Sequence, residues 1–267
     1  MNKFLTMMAF VAVSFSFLAC DDSTSSVDSD AQPTSCTEPA GCDMPVSSSS
    51  LAGKEIPVSS SRDDKFGLLT DSRDGKTYKT VVIGKQTWMA ENLNYYDTTV
   101  YPELVKYSWC YGDTASNCDV YGRLYSWEVA MDSAGVWSMN GKGCGCGKSC
   151  KPTYPVQGIC PSGWHLPTEK EFSTLLETAT AKQLKSTDGW NDVNGTDDFG
   201  FSALPAGSFS KAFGSKGSAT YFWSSTQHRL YEEKVYDMRI FGNDRAMVTD
   251  GHTLWGEFGY SVRCVKD

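Results

Sequence analysis

Ten cysteines, three histidines and one dense run of carboxylates are the residues in this chain whose types could do chemistry. His165, His228 and His252 each lack a Cys, His or Glu partner at a recognised ligand spacing, and His165 within GWHLPT reads as a hydrogen-bonded structural residue. A Ser-His-Asp hydrolase would need a GxSxG elbow or its equivalent, which the sequence does not contain. Cys144, Cys146 and Cys150 in GKGCGCGKSC are spaced closely enough for zinc or an iron–sulfur cluster, but no fourth soft ligand lies nearby. A local disulfide with one thiol left over suits that segment better. Asp188, Asp192, Asn194, Asp197 and Asp198 crowd oxygen ligands into a short stretch that a hard cation such as calcium could use. A polar turn ahead of a buried strand is the plainer reading of the same residues. No other cofactor is expected.

Aromatic side chains are the remaining candidates, with eight Trp and thirteen Tyr in 267 residues. Rings that stack on sugar faces are what a carbohydrate surface needs. Trp88, Trp127, Trp164 and Trp223 lie in expected elements with apolar neighbours and belong to the core. Trp255, Tyr231, Tyr95, Tyr96 and Trp137 lie in expected loops, where binding residues concentrate, and are the ligand-binding candidates.

The beginning of the chain sets where these groups act. Lys3, the apolar run Phe4 to Leu18 and the small Ala19 before Cys20 form an export signal over 1–19, and FLAC resembles a bacterial lipobox with Cys20 as the acylated residue. Residues 20–65 follow as a Ser/Asp/Pro-rich tether that cannot bury enough apolar surface to fold. From residue 21 to 65 there are nine acidic and three basic residues, so a net −6 of the total −8 sits on the tether. The folded region, 66–267, is near neutral and has no Lys/Arg cluster, which argues against a nucleic-acid partner. The expected partners are a membrane, reached through the acyl anchor, and a polysaccharide or envelope protein. The expected location is the cell envelope, at the outer membrane or cell surface.

Export favours disulfides. Cys36 and Cys42 could close a small loop in the tether, Cys110 and Cys118 flank a polar loop, and Cys160 and Cys264 would tie the entry of a helix to the last strand. By the loop-entropy model the last closure contributes most, about 4–5 kcal/mol.

The elements that must position these residues are legible in pattern. Residues 74–94 read as two strands about a Gly84-Lys85 turn. Leu124, Trp127, Val129 and Met131 predict a first helix from about Leu124. Thr168 and Glu171 form a capping box opening a second helix, with Phe172, Leu175, Leu176 and Ala179 on one face. YFWSST, KVYDMRIF, RAMVTD and GYSVRCVKD read as late strands. Two helices packed on a twisted antiparallel sheet, stapled by disulfides, give an α+β fold.

Five ordered blocks, DGKTYKTVVIGKQTWMAENLNY, YGRLYSWEVAM, GICPSGWHLPTEKEF, NGTDDFGFSALPAG and GYSVRCVKD, resemble the Fibrobacter succinogenes major paralogous domain family. That resemblance implies a fold similar to C-type-lectin-like and formylglycine-generating-enzyme-like domains. Trp190-Asn191-Asp192 is similar to the calcium-holding triplet of C-type lectins, without its partner triplet. Formylglycine-generating enzymes use copper and a redox-active cysteine pair late in the chain, where this sequence has Cys264 alone. The family supplies no catalytic residues to carry over. The expectation is therefore an envelope lipoprotein carrying a non-catalytic binding module for a polysaccharide or protein ligand. The alternatives are a formylglycine-generating-type oxidase and a purely structural envelope component.

Overall fold

A computed structural model describes residues 66–267, apart from Cys146, 232–233 and 254–257 and the side chains of 251–253. The export signal, Cys20, the tether with Cys36 and Cys42, and Trp255 lie outside the described residues.

The domain opens with β1 (Phe66–Thr70), β2 (Thr77–Ile83) and β3 (Gln86–Met89), an antiparallel meander in which Val81 faces Trp88 across the Gly84-Lys85 turn. Short elements follow: α1 (Leu104–Tyr107), β4 (Ser108–Trp109), a 3₁₀ turn at Tyr111–Asp113, α2 (Ala115–Tyr121), β5 (Leu124–Tyr125), α3 (Trp127–Ala130) and β6 (Trp164–His165). Next come α4 (Glu169–Thr178) and α5 (Ala181–Leu184), then the hairpin β7 (Ser208–Ser210) and β8 (Ala212–Gly214). The long strands are β9 (Ala219–Gln227), β10 (Lys234–Phe241) and β11 (Ala246–Thr253), and the chain closes with β12 (Phe258–Ser261) and β13 (Val265–Lys266).

These strands make two sheets rather than the one expected. One runs β1-β2-β3-β13-β6, and the other runs β11-β10-β9-β12-β5-β4 with the β7–β8 hairpin joined at β12. GYSVRCVKD, expected as one strand, crosses between the sheets, because the chain leaves β12 at Ser261 and pairs again at Val265, opposite Trp88 and His165. Among the described strands all pairings are antiparallel except that of β12 with β9, where Ser261 meets Phe222.

The helix expected from about Leu124 begins instead at Trp127. Leu124 and Tyr125 pair with β12, and the Ser126 hydroxyl then accepts a bond from Val129 N as an N-cap. Among the described residues there are five short helices, not two, and α4 with ten residues is the longest. Its capping box is present, with Thr168 and Glu171 bonding each other's backbone N–H.

The buried face of α4, Phe172 and Leu175, packs with Trp88 and with Phe222, Met238 and Ile240 of the second sheet. Trp88 stacks on Phe172 at 5.4 Å and meets Phe201 edge-on at 6.0 Å. A second cluster, around Tyr125, Trp127, Trp223 and Tyr260, fills the other face of that sheet, with Trp223 and Tyr260 stacked at 4.1 Å. Cys160 and Cys264, both fully buried, are bridged across a separation of 104 residues and join β6's approach to the crossing segment. Mixed α+β architecture with disulfide staples is thus present.

Candidate functional site

The groups that looked most reactive turn out to hold the fold together. Cys110 and Cys118 are bridged, as are Cys160 and Cys264. Cys144 pairs with Cys150 over six residues. His165 is nearly buried between two carboxylates, with Nδ1 2.7 Å from Asp267 and Nε2 2.9 Å from Glu171. Two acceptors on one ring favour imidazolium. Burial opposes that charge, but the hydrogen bonds to Glu171 and Asp267 outweigh it, and the His165 pKa is raised. Glu171, whose other oxygen accepts from Thr168, is held below the usual carboxylate range by the same contacts despite its burial. Strand β6, the start of α4 and the residue beyond β13 are thereby clamped at one point. His228 Nδ1 accepts from the backbone N–H of Leu230 and Tyr231, which shapes a turn.

The expected oxygen-rich loop is not gathered round a shared centre. Asn194 Oδ1 accepts from Trp190 N, Asp197 takes both the N–H and the hydroxyl of Ser202, and Asp198 accepts from Gln183. Asp188 and Asp192 are exposed. Among the described residues, no group of three or more His, Cys, Asp or Glu is placed to hold a metal. A cation does organise this region, and it is covalent. Lys185, fully buried, donates to the carbonyls of Val193 (2.5 Å) and Gly242 (2.8 Å) and lies over the Trp190 ring at 4.8 Å. It also meets Asp244 Oδ1 at 2.6 Å, as an ion pair without the alignment of a hydrogen bond. Gly195 passes so close to the Lys185 carbonyl that a Cβ would sit 2.0 Å from its oxygen, so no other residue fits there. Sequence reasoning missed Lys185 because it resembles an ordinary basic helix end.

The loop aromatics divide. Tyr95 is a correction: it is 1% exposed, because its ring packs edge-on against Trp137 at 5.5 Å while Arg73 covers it at 4.2 Å. Trp137 is half-buried against Tyr95 and Tyr101, on a loop whose backbone N–H groups at Val136, Trp137 and Ser138 all bond the buried Asp132 carboxylate. Both belong to the scaffold. Tyr96 (44% exposed) and Tyr231 (49%) do present their rings to solvent, Tyr96 backed by the Arg123 guanidinium at 3.8 Å.

Sequence reasoning also missed a groove of about 650 Å³, between β2, the 90–94 segment, the end of α2 and the loops at 186–188 and 197–204. Its floor includes Arg263, which is 1% exposed and sits over the Phe201 ring at 4.4 Å. Arg263 Nε donates to Asn92 Oδ1 at 2.7 Å, while its terminal nitrogens donate to the carbonyls of Phe201 and Ser202, the latter at 2.9 Å. Burial lowers its pKa to about 9, against the pull of Asp197 and Glu91, so the side chain stays charged at neutral pH. Asn92 in turn donates to the Tyr121 carbonyl at 2.7 Å, which fixes the end of α2. Gly122 makes this approach achievable: its φ is +71°, and a Cβ there would lie 2.5 Å from that of Asn92.

The rim is different. Lys79, Asp119, Thr187 and Asp188 are exposed, and none of these side chains has a hydrogen-bond partner among the described residues. No spacing marks these residues, because they come from three separate segments. Chemically, the groove offers a rigid polar floor and unengaged donors and acceptors at its edge.

Comparisons with known proteins fit this picture of a defined fold without assigned chemistry. No curated protein and no solved structure matches the chain. The model of the Fibrobacter succinogenes major domain matches residues 81–266, from the middle of β2 to the end of β13. The chain belongs to the Fibrobacter succinogenes major domain family.

Proposed function

We propose that this protein is a cell-envelope lipoprotein whose folded domain is a non-catalytic binding module, displayed on a lipid tether, for a polysaccharide or protein ligand. The observation that carries this reading is the contrast inside the groove, where floor groups are saturated with internal bonds and rim groups are unengaged. Saturated groups preorganise a surface, and unengaged polar groups at its edge are what a ligand can meet. The pairing of the domain's first strands with its last, beside the Cys160–Cys264 bridge, supports the C-type-lectin-like fold implied by the resemblance. Acylation at Cys20 and the acidic tether supply the display.

Oxidase chemistry of the formylglycine-generating type fits less well, since it needs thiols to hold copper, and Cys264 is engaged with Cys160. Calcium fits only as an ion held by exposed carboxylates such as Asp188 and Asp192.

The test is capture by the purified full-length protein, run against insoluble polysaccharides in one arm and solubilised envelope proteins in the other. Specific retention in either arm supports the module. Retention in neither, with turnover of a thiol substrate that alkylation abolishes, would replace it with an enzyme. Metabolic labelling with a fatty acid, lost in Cys20→Ala, checks the anchor.

A further inference from the structure

We infer that the groove takes an uncharged, polyhydroxylated chain, a neutral polysaccharide, held through vicinal hydroxyls by Asp119 and Asp188 with Lys79 and Thr187 completing the contact. The inference rests on the binding-module reading and narrows its ligand.

Shape comes first. A volume of about 650 Å³ is within the range of small-ligand sites. The groove is an open trough running between separate chain segments, which suits several residues of a chain lying along it.

Charge then discriminates among chains. At the rim two carboxylates, Asp119 and Asp188, stand against one ammonium, Lys79. Lys76, also in the lining, is directed to Asp74 at 3.4 Å and to the Asn94 carbonyl, and Glu91 Oε2 already accepts from Lys79 N at 2.7 Å. An anionic polymer, whether nucleic acid or polyuronate, would bring its charges against a rim in which carboxylates outnumber the ammonium. A cationic chain would gain from Asp119 and Asp188 but be opposed by Lys76, Lys79 and the buried guanidinium. An apolar ligand would strip water from all three charged groups and return no hydrogen bonds.

Hydroxyl groups satisfy each of these demands. A carboxylate only accepts, and its two oxygens can take the O–H donors of adjacent hydroxyls, while an ammonium only donates and an O–H oxygen can receive it. Bonds of this kind are strengthened by the charge on the protein partner. The floor does not compete for the ligand, because the Arg263 and Asn92 groups that hold the walls apart are bonded to each other and to the backbone.

Native affinity electrophoresis of the full-length protein provides the test, in gels containing xyloglucan, galactomannan or mixed-linkage β-glucan, with polygalacturonate as the charged control. The expected result is retardation in at least one neutral gel, none in polygalacturonate, and about tenfold weaker binding for Asp119→Ala and for Asp188→Ala at an unchanged thermal midpoint. Retardation by a neutral glycan that survives both substitutions would overturn the groove assignment while leaving a binding module. Equal or stronger retardation by polygalacturonate would overturn the charge argument. Failure in every gel, with capture of an envelope protein instead, would overturn the saccharide ligand and leave a protein-binding module.

Discussion

Arg263 and Asp188 line the same groove and share little else. The arginine is buried, stacked over Phe201 and bonded through three nitrogens to Asn92, Phe201 and Ser202, whereas the aspartate is exposed and its carboxylate has no partner among the described residues. Removing a buried, fully bonded polar group leaves its partners unsatisfied in a medium that cannot solvate them. Removing an exposed one alters only what a ligand would encounter. A polar residue's worth to the fold and its worth to recognition are thus separable in this molecule, and substitution and pH can each strain that separation.

The largest effect belongs to the covalent scaffold. Replacing Cys160 and Cys264 together by serine opens a closure spanning 104 residues, and a loss of about 4–5 kcal/mol is expected in urea unfolding, against about 2 kcal/mol for the six-residue closure at Cys144 and Cys150. Equal losses at the two bridges would mean that the long closure does not organise the domain. Next comes Arg263→Leu, expected to lower stability by about 3 kcal/mol or more, because three carbonyl or amide oxygens lose their donor inside the protein. If that variant unfolds at the native midpoint, the floor is not preorganised by the network described.

A smaller effect is set by pH. His165 has a raised pKa, so its contribution is present below the ordinary histidine value and is lost as pH rises through the folded one. Asp237, buried on β10 and bonded by Arg239 at 2.6 Å, is pushed by burial up to about 6, so it too binds a proton on folding and destabilises as pH rises. Glu171 has the opposite sign: its contribution is present above the ordinary carboxylate value and lost as pH falls through its lowered one. Stability should therefore be greatest near the ordinary carboxylate value and decline as pH rises, first through about 6 at Asp237 and then through the raised His165 value. His165→Gln and Asp237→Asn should each flatten that decline in denaturation series. A profile rising from pH 5 to 8 would show that neither group is protonated as described.

Much of this fold could be read from pattern because local signals agreed with tertiary demands. The Thr168 and Glu171 cap, the hairpin about Gly84 and the β-branched and aromatic runs of β9 and β10 each state their structure within a few residues. Periodicity failed at Leu124, where pairing with β12 overrides a helical spacing, and at the last strand, where Arg263 turns inward and the chain changes sheets. The groove was illegible for a different reason. Lys79, Asp119, Asp188 and Arg263 approach only through the pairing of distant strands, and nothing in the neighbourhood of each hints at the others. Tyr95 misled because a loop position suggests exposure, yet Arg73 and Trp137 cover it.

The measurement that bears most directly on the division between scaffold and rim is a paired one on Asp119→Ala/Asp188→Ala. Its unfolding free energy should stay within about 0.5 kcal/mol of the parent, as for surface positions generally, while its retardation by neutral polysaccharide disappears. A double variant that unfolds readily, or one that still binds as the parent does, would contradict the account.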